Sequence, residues 1–186
     1  MPNYEIKEIS NLKIPLDDVK EFLFKLIKDE YGLDYVPKYH DDIKHLEEYY
    51  IYPERSNFYV AFDSKSNEII GTLGIREYDM ESLEFPNLYS KKSTASFYRV
   101  FVHKNYRRKG VASDLVKKAE NFCYCKGFNE IYLHTQKFVN GALAFWLCNN
   151  FNIRLDSNNK LKTVHMDKMI KRNPLKLYDI SLEGLY

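Results

Sequence analysis

Residues 94–126 read TASFYRVFVHKNYRRKGVASDLVKKAENFCYCK, and this stretch decides the fold. Its apolar and aromatic run at 97–102 predicts a strand, and the polar, basic run at 103–109 predicts a turn. After Gly110 the apolar residues recur at helical spacing, which predicts an amphipathic helix. These residues are Val111, Leu115, Val116, Ala119 and Phe122. A strand, a basic turn with glycine and a helix, in this order, are typical of an anion-binding site.

The start of the predicted helix suits a phosphate. The first backbone N–H groups of a helix have no partner inside it, and the aligned peptide dipoles place about half a positive charge there. Gly110 lacks the Cβ that would keep an anion away from the backbone, and Ala112 is small. The basic residues 107–109 add positive charge, and Ser113 could cap the helix or donate a hydrogen bond. The segment therefore predicts a phosphate site.

The motif within this segment points to one family. The segment lacks the Gly-Lys-Ser/Thr of a P-loop and the Gly-x-Gly-x-x-Gly of a dinucleotide fold. It resembles instead the central motif of the GNAT superfamily of N-acetyltransferases, Arg/Gln-x-x-Gly-x-Gly/Ala, which reads here Arg107-Arg108-Lys109-Gly110-Val111-Ala112. The aliphatic strand that ends at Val102 also has the spacing of that family. Taken alone, the motif is open to a second interpretation, an ordinary basic strand-to-helix turn.

The resemblance implies a site for acetyl-CoA as co-substrate. In the family the loop binds the pyrophosphate, and the pantetheine arm lies beside the strand like an extra strand. The strand containing residues 100–102 should then separate from the strand at 131–135, which leaves backbone groups that need partners. The contacts of the strand are expected from its backbone only. The implied cofactor-binding residues are Val100, Phe101, Val102, Arg107, Arg108, Lys109, Gly110, Val111, Ala112 and Ser113.

Length and composition limit the class of protein. The 186 residues favour a single domain over 1–186, with 170–186 as a C-terminal extension. A net charge of +2 is too small to favour a nucleic-acid partner. The apolar runs fall short of the roughly 20 residues that span a bilayer, and no secretory signal is visible, so a cytoplasmic protein without a membrane partner is expected.

The cysteines and histidines do not indicate a metal. Cys123, Cys125 and Cys148 are an odd number and lack Cys-x-x-Cys spacing, so we expect buried or partly buried thiols. No cluster of His, Cys and carboxylate has the spacing of metal ligands. The sequence therefore predicts no metal site.

The periodicity along the chain predicts an α/β fold. Strands are predicted at 4–9, 57–62, 68–77, 97–102, 129–135, 151–155 and 161–170, and helices after Pro15, at about 41–50, from 111 and at about 139–149. Asp41 or Asp42 is expected to cap the second helix, and Gly71 and Gly74 suggest a bulge or a close backbone approach. This order matches the GNAT order, a mixed, mostly antiparallel central sheet with helices on both faces. Residues 78–93 are expected to be a solvated connector, with a substrate-facing lip as the alternative.

The reaction that the resemblance implies is direct transfer of an acetyl group from a thioester to an amine. It needs a neutral amine, stabilisation of the oxyanion, which a backbone N–H of the fourth strand can supply, and a proton for the departing thiolate. An alkyl amine with a pKa of about 10 is mostly protonated at neutral pH, so a base or a water chain is required. The strand position that carries a glutamate base in some relatives falls near Ser96, which is not a base. The candidate bases are Glu77, Asp79 and His134, each of which could instead have a structural role.

The sequence departs from the family at the proton donor. Many GNAT members carry Asn-x-x-Ala-x-x-Leu-Tyr-x-x-x-Gly-Phe, whose tyrosine can protonate the sulfur. Aligned on that pattern, the segment 139–151 puts Trp146 at the tyrosine position, and an indole does not give up its proton at useful pH. Either the thiolate leaves unassisted, or another group serves, such as a tyrosine of the Tyr-rich N-terminal region.

The expected function is therefore an acetyl-CoA-dependent N-acetyltransferase that acts on a primary amine of a small molecule or peptide. Because Trp146 replaces the tyrosine, the alternative is a non-catalytic acyl-CoA-binding sensor or regulatory module of the same fold. A third hypothesis is an unrelated α/β protein whose basic turn binds another phosphate ligand. The acceptor would be shaped by residues 28–55 and 78–93, and a homodimer, common in the family, is compatible with the sequence.

Overall fold

The computed structural model describes residues 3–79 and 88–170. Its strands are Tyr4–Glu8 (β1), Asn57–Asp63 (β2), Ile69–Glu77 (β3), Thr94–Val102 (β4), Glu130–Gln136 (β5), Asn152–Asp156 (β6) and Thr163–Met169 (β7). Its α-helices are Leu16–Tyr31 (α1), Pro37–Lys44 (α2), Val111–Cys125 (α3) and Ala142–Cys148 (α4), and Glu47–Ile51 forms a π-helical turn. Residues 80–87 of the predicted 78–93 connector, and the extension after Ile170, lie outside the described residues.

The strands form one sheet in the order β1-β2-β3-β4-β5-β7-β6. Neighbouring strands run antiparallel except for β4 and β5, which are parallel. The predicted mixed, mostly antiparallel sheet is thereby confirmed. The parallel pair lies in the middle of the sheet, and the helix α3 connects its two strands.

Helices cover both faces of the sheet, as predicted. Leu115 of α3 and Trp146 of α4 pack with Leu73 of β3 on one face. On the other face, Leu23 of α1 and Ile43 of α2 form a separate apolar cluster that also contains Phe58. Since side chains alternate along a strand, each face of β2 and β3 meets its own helix layer.

The second helix begins earlier than the sequence predicted. It was expected at about 41–50 with Asp41 or Asp42 as its N-cap, but it starts at Pro37, with Val36 in the capping position. Proline suits the first turn of a helix, because its φ is preset and its missing N–H would have no partner there. Asp41 and Asp42 therefore lie inside α2, and their carboxylates accept hydrogen bonds from tyrosines of the π-helical turn.

Two further expectations are corrected. The predicted helix at 139–149 is shorter, because the chain turns at Gly141 with a φ of 78° and the helix starts at Ala142. Of the three cysteines only Cys123 is buried, whereas Cys125 and Cys148 are exposed. Both exposed thiols lie at the last residue of a helix, where the chain leaves the core.

Gly71 and Gly74 allow close approach, as predicted. A Cβ on Gly74 would lie 2.7 Å from a ring carbon of Tyr50, and one on Gly71 would lie 3.0 Å from the carbonyl oxygen of Phe101. A bulge is present in β3 as well, because Ile70, next to Gly71, has no partner between Ala61 and Phe62 of β2. A second bulge lies in β4, opposite this segment. No helix within residues 3–79 and 88–170 is long and apolar enough to cross a membrane.

Candidate active site

A split opens between the two central strands. β4 and β5 pair only at Thr94 with Glu130, Ala95 with Ile131 and Ser96 with Tyr132. Beyond these pairs, β4 continues to Val102 and β5 to Gln136 without pairing to each other. The predicted separation is confirmed, although it begins after Tyr132 rather than at Ile131. Backbone groups on the two inner edges are left for another partner.

A β-bulge in β4 accounts for the split. Tyr98 pairs with Gly74 and Phe101 with Thr72, so two residues of β4, Arg99 and Val100, lie opposite a single residue of β3. Such an extra residue bends its strand and increases its twist, which turns β4 away from β5. Arg99 has a φ of 51°, a strained value for a residue with a side chain.

The bulge is held by polar contacts on the face covered by α2. The Thr72 hydroxyl donates to the carbonyl oxygen of Arg99 at 2.8 Å. The Arg99 guanidinium donates from Nε to Asp42 Oδ2 at 3.0 Å, and from Nη2 to Asp42 Oδ1 and to the carbonyl oxygen of Tyr39. Tyr50 donates its hydroxyl to the same carboxylate at 2.6 Å.

The charge on Asp42 persists although the carboxylate is buried. Burial alone would raise its pKa, but the hydrogen bonds and the charge of Arg99 outweigh burial, and the pKa is lowered. Buried charges are stable only when they are paired and hydrogen-bonded. The pair thus ties the strained residue of β4 to α2.

The glycine turn leaves the helix start open. Gly110 has a φ of 88° and is exposed, and its carbonyl oxygen accepts from Asp114 N–H at 3.0 Å. In the described part of the chain, the N–H groups of residues 111–113 donate to no backbone or capping side chain. The sequence predicted such unpartnered amides, and the geometry provides them next to the open end of β4.

The basic side chains of the turn differ in their contacts. Arg107 donates from Nε to the carbonyl oxygen of Val102 at 3.1 Å and forms an ion pair with Glu30 at the end of α1. Lys109 places its ammonium 5.1 Å from the ring centre of Tyr106. Arg108 is exposed with a φ of 60°. All three cations thus remain at the surface beside the helix start.

Two of the three candidate bases are bound by other side chains. Glu77 faces Ala95, where β4 and β5 are still paired, and accepts from Arg55 at 2.7 Å. Asp79 forms an ion pair with Arg76 and accepts from the Tyr98 hydroxyl at 2.8 Å. Both carboxylates are thus already held by the guanidinium of an arginine.

His134 lies on the inner edge of β5. It lies two residues beyond Tyr132, the last residue of β5 that pairs with β4, and its ring centre is 6.2 Å from that of His165. Desolvation by the surrounding protein, followed by the charges of His165 and Arg99, lowers the pKa of His134 below its usual value. The ring is therefore neutral at pH 7 and offers a lone pair at the split.

Trp146 is not placed to act on a substrate. It is 5% exposed and packs in the core against Phe151 and Phe145, with ring centres 5.1 and 5.0 Å away. A tyrosine of the N-terminal region does reach the split. Tyr31, at the end of α1, has its ring centre 6.3 Å from that of Phe101 on β4 and 5.9 Å from that of Phe138, which follows β5.

Sequence reasoning missed the residues that hold the bulge. Thr72, Asp42 and Arg99 are far apart in the chain, and none belongs to the motif. One signal was present, because Arg99 interrupts the apolar run FYRVFV and a charged residue in a central strand needs a buried partner. The identity of that partner could not be read from the sequence.

Comparison with known proteins places this split and turn in a family. The model of the Acetyltransferase (GNAT) family matches residues 20–150, so the chain belongs to the GNAT acetyltransferase family. Members are acyltransferases of the N-acetyltransferase type, and acetyl-CoA is their co-substrate.

Solved structures agree with the fold. An acetyltransferase from Streptococcus agalactiae is 20% identical with a TM-score of 0.70, and the match covers 91% of this chain and 99% of the other. A GNAT-family acetyltransferase from Staphylococcus aureus is 21% identical with a TM-score of 0.71, over 90% and 99%. An aminoglycoside 6'-N-acetyltransferase complexed with coenzyme A is 16% identical with a TM-score of 0.64, over 91% and 99%. No curated protein matches the sequence.

Proposed function

We propose that this protein transfers an acetyl group from acetyl-CoA directly to a primary amine of a small molecule or peptide. One observation carries the proposal: the open inner edge of β4 leads straight to a helix start whose first amides have no partner in the described chain. An extended amide chain with a diphosphate at one end fits both features. Family membership supplies the type of reaction.

The cofactor contacts are assigned to the residues that the motif named. The amides of Val111, Ala112 and Ser113 would bind the diphosphate, with Arg108 and Lys109 as exposed cations beside them. Gly110 supports this role because its φ of 88° disfavours a residue with a side chain, and a Cβ there would lie 3.3 Å from the Tyr4 hydroxyl. Arg107 must either keep its contact with Glu30 or exchange it for the phosphate.

The backbone of β4 would hold the pantetheine arm. Residues 100–102 have no strand partner on the side facing β5, and backbone N–H and C=O groups there can pair with the amides of the arm. Side-chain identity at these positions then matters little.

Three residues serve as base, as hydrogen-bond donor to the carbonyl oxygen and as acid. When bound, acetyl-CoA supplies the activated acetyl thioester. His134 accepts the proton released by the amine as the C–N bond forms, and passes it to solvent. The N–H of Val100 stabilises the negative charge that develops on the carbonyl oxygen. As the C–S bond breaks, Tyr31 donates its hydroxyl proton to the sulfur and recovers a proton from solvent.

Tyr31 is favoured over Trp146 as donor by position and acidity. Its ring lies beside Phe101 of β4 and Phe138, two residues after β5, whereas Trp146 is buried in the core. Burial raises the pKa of Tyr31, and the negative charge of Glu30 raises it further. The positive charges of Arg99 and Arg107 lower it, but the net change is upward. The hydroxyl is therefore protonated at neutral pH, as a proton donor must be.

The burial of Trp146 favours a second candidate function, that of a protein that binds acyl-CoA without turnover. With Trp146 buried, the family's usual donor position offers no proton, which suits a non-catalytic acyl-CoA sensor or regulatory module. Measuring CoA thiol release from acetyl-CoA with a panel of alkyl amines, aminoglycosides and short peptides separates the two. Release that depends on an acceptor supports the enzyme; tight CoA binding without release with any acceptor supports the sensor.

The remaining predictions concern the setting of the enzyme. A single domain over 1–186, a cytoplasmic location and a possible homodimer stay predictions of the sequence. So does the nature of the acceptor, for which an amine of a small molecule and an amine of a peptide are both retained.

A further inference from the structure

We propose that Thr72 is a positioning residue for this reaction: its hydroxyl orients the peptide unit between Arg99 and Val100 and so aims the Val100 N–H into the split. The inference rests on the proposed function, because it concerns how the charge of the carbonyl oxygen is stabilised. Thr72 does not reach the reacting atoms itself.

The argument starts from the planarity of the peptide unit. In a trans peptide the C=O of one residue and the N–H of the next point in opposite directions, and the two cannot rotate independently. The Thr72 hydroxyl donates to the carbonyl oxygen of Arg99 at 2.8 Å, and Thr72 lies on β3. The Arg99 C=O therefore points toward the Thr72 hydroxyl, on the β3 side and the α2 face of β4, and the Val100 N–H points the opposite way, with a component toward the side where β5 has separated.

At the bulge, strand pairing alone does not fix the orientation of this peptide plane. In a regular ladder, strand pairing fixes each peptide plane, but at Arg99 and Val100 two residues face one and the pairing is interrupted. Arg99 also has a φ of 51°, which its side chain disfavours. A side-chain hydrogen bond replaces the missing ladder bond and selects one orientation of the plane.

The other end of Arg99 is anchored as well. Its guanidinium is bound to Asp42 and to the carbonyl oxygen of Tyr39, both on α2. The side chain thus fixes where the residue sits, while the Thr72 hydroxyl fixes how its peptide plane is turned. The two contacts have separable effects, because only the second determines the direction of the Val100 N–H.

The chemistry of Thr72 fits this role better than a packing role. The residue is fully buried in a strand whose neighbours Gly71 and Leu73 are apolar, where valine has nearly the same shape. Burying a hydroxyl is unfavourable unless it is hydrogen-bonded, and the acceptor here is the carbonyl at the bulge. The hydroxyl is therefore the feature that distinguishes Thr72 from an ordinary core residue.

Two variants of the same site test the proposal. Thr72→Val removes the hydroxyl and keeps the shape, while Thr72→Ser keeps the hydroxyl. Removing an oxyanion donor outright lowers kcat by about 10²–10³-fold, so turning a donor away should cost about tenfold or more. We expect this loss in Thr72→Val, with KM for acetyl-CoA within about threefold of wild type, because the phosphate turn and the edge of β4 are intact. Thr72→Ser should stay close to wild type.

A spectroscopic measurement provides a readout independent of turnover. A hydrogen bond from Val100 N–H lowers the stretching frequency of the thioester carbonyl in bound acetyl-CoA, which carbonyl-labelled acetyl-CoA reveals by isotope-edited infrared difference spectra. We expect the lowered frequency in wild type and Thr72→Ser, and a return toward the free value in Thr72→Val. Should valine disturb packing, Thr72→Ala removes the hydroxyl with a smaller side chain and repeats the test.

A matched control lies at the other end of β4. Thr94 is equally buried, and its hydroxyl donates to Glu130 at 2.7 Å where β4 and β5 are paired. Thr94→Val loses a buried hydroxyl bond but should leave the carbonyl frequency and kcat unchanged. An equal loss of kcat in Thr94→Val and Thr72→Val would reduce Thr72 to a general structural role and overturn the proposal.

The outcomes separate the proposal from the function on which it rests. If wild type binds acetyl-CoA but transfers no acetyl group to any acceptor, the proposed function fails. If wild type is active and Thr72→Val matches it in both kcat and carbonyl frequency, the function stands and the role of Thr72 is refuted.

Discussion

Replacing Asp42 with asparagine should destabilise the protein by about 3–5 kcal/mol, because it leaves a buried arginine without its counter-charge. The Asp42 side chain is 7% exposed and that of Arg99 is 17% exposed. The carboxylate accepts from Arg99 Nε at 3.0 Å and from the Tyr50 hydroxyl at 2.6 Å. Asparagine has nearly the same shape, so lost charge rather than lost volume dominates the change.

The magnitude comes from the unpaired cation, not from the Coulomb energy of the pair. Removing one partner of a buried ion pair costs about 3–5 kcal/mol, whereas replacing both by apolar residues is often neutral. Total stabilities are about 5–15 kcal/mol, so the variant would lose a large share. With about 2–4 °C per kcal/mol at this chain length, the melting midpoint should fall by about 6–20 °C.

Urea unfolding followed by the fluorescence of Trp146, the single tryptophan, measures the change in the free energy of unfolding. The double variant Asp42→Leu, Arg99→Met removes both charges and should regain most of the loss. A loss below about 1 kcal/mol in Asp42→Asn, or a double variant as unstable as the single one, would refute this reasoning.

Three further predictions concern other residues and conditions. The pKa of Asp42 is lower in the folded than in the unfolded protein, so the ionised carboxylate stabilises the fold above the unfolded pKa of about 4, and this stabilisation is lost as the pH falls through the folded pKa. Urea unfolding between pH 3 and 5 should therefore show that the free energy of unfolding depends less on pH in Asp42→Asn than in wild type. Gly74→Ala should cost about 1–3 kcal/mol in thermal denaturation, since its Cβ would lie 2.7 Å from the Tyr50 ring. His134→Gln should lower kcat by about 10²–10⁴-fold and leave KM for acetyl-CoA unchanged. It should also abolish the fall of kcat at acidic pH, and a variant that still shows this fall would exclude His134 as the base.

Local sequence features predicted most of the fold. The alternation in FYVAF and EIIGTLGIREY gave strands whose pairing needs only a short turn, and the run from Thr94 to Lys126 placed α3 behind β4. Gly110 was recognisable because a residue without a Cβ suits a turn that brings an anion close to the backbone. These features depend on residues that are close in the chain.

The bulge could not be predicted in the same way. Its support joins Thr72 to Arg99 across 27 residues and Asp42 to Arg99 across 57, and neither distance leaves a periodic pattern. The start of α2 was missed for a related reason: Asp41 and Asp42 resemble N-caps, but tertiary partners bind their carboxylates inside the helix. Long-range polar contacts override local capping preference here.

The side chains to which we assign catalytic roles were predicted only in part. His134 follows from the alternation of β5, and the structure places it at the split. Glu77 and Asp79 were equally plausible as acids at a strand end, yet their positions depend on cations from other segments, Arg55 and Arg76. Tyr31 is distinguished from the other N-terminal tyrosines by its contacts alone.

The affinity of CoA for the protein, measured by calorimetry, tests the central claim most directly. In Arg107→Glu, Gly110→Asp, a negative charge replaces a cation and a second one is placed at the helix start. The control Lys126→Glu, Gly127→Asp makes the same changes beyond the other end of α3, where Gly127 also has a positive φ. Since a charge-assisted hydrogen bond contributes about 1.5–3 kcal/mol, and 1.4 kcal/mol is tenfold, we predict a loss of at least about 10²-fold in the first variant and less than about threefold in the control. Equal CoA affinity in the wild type and the Gly110 variant would contradict the assignment of the turn as the diphosphate site.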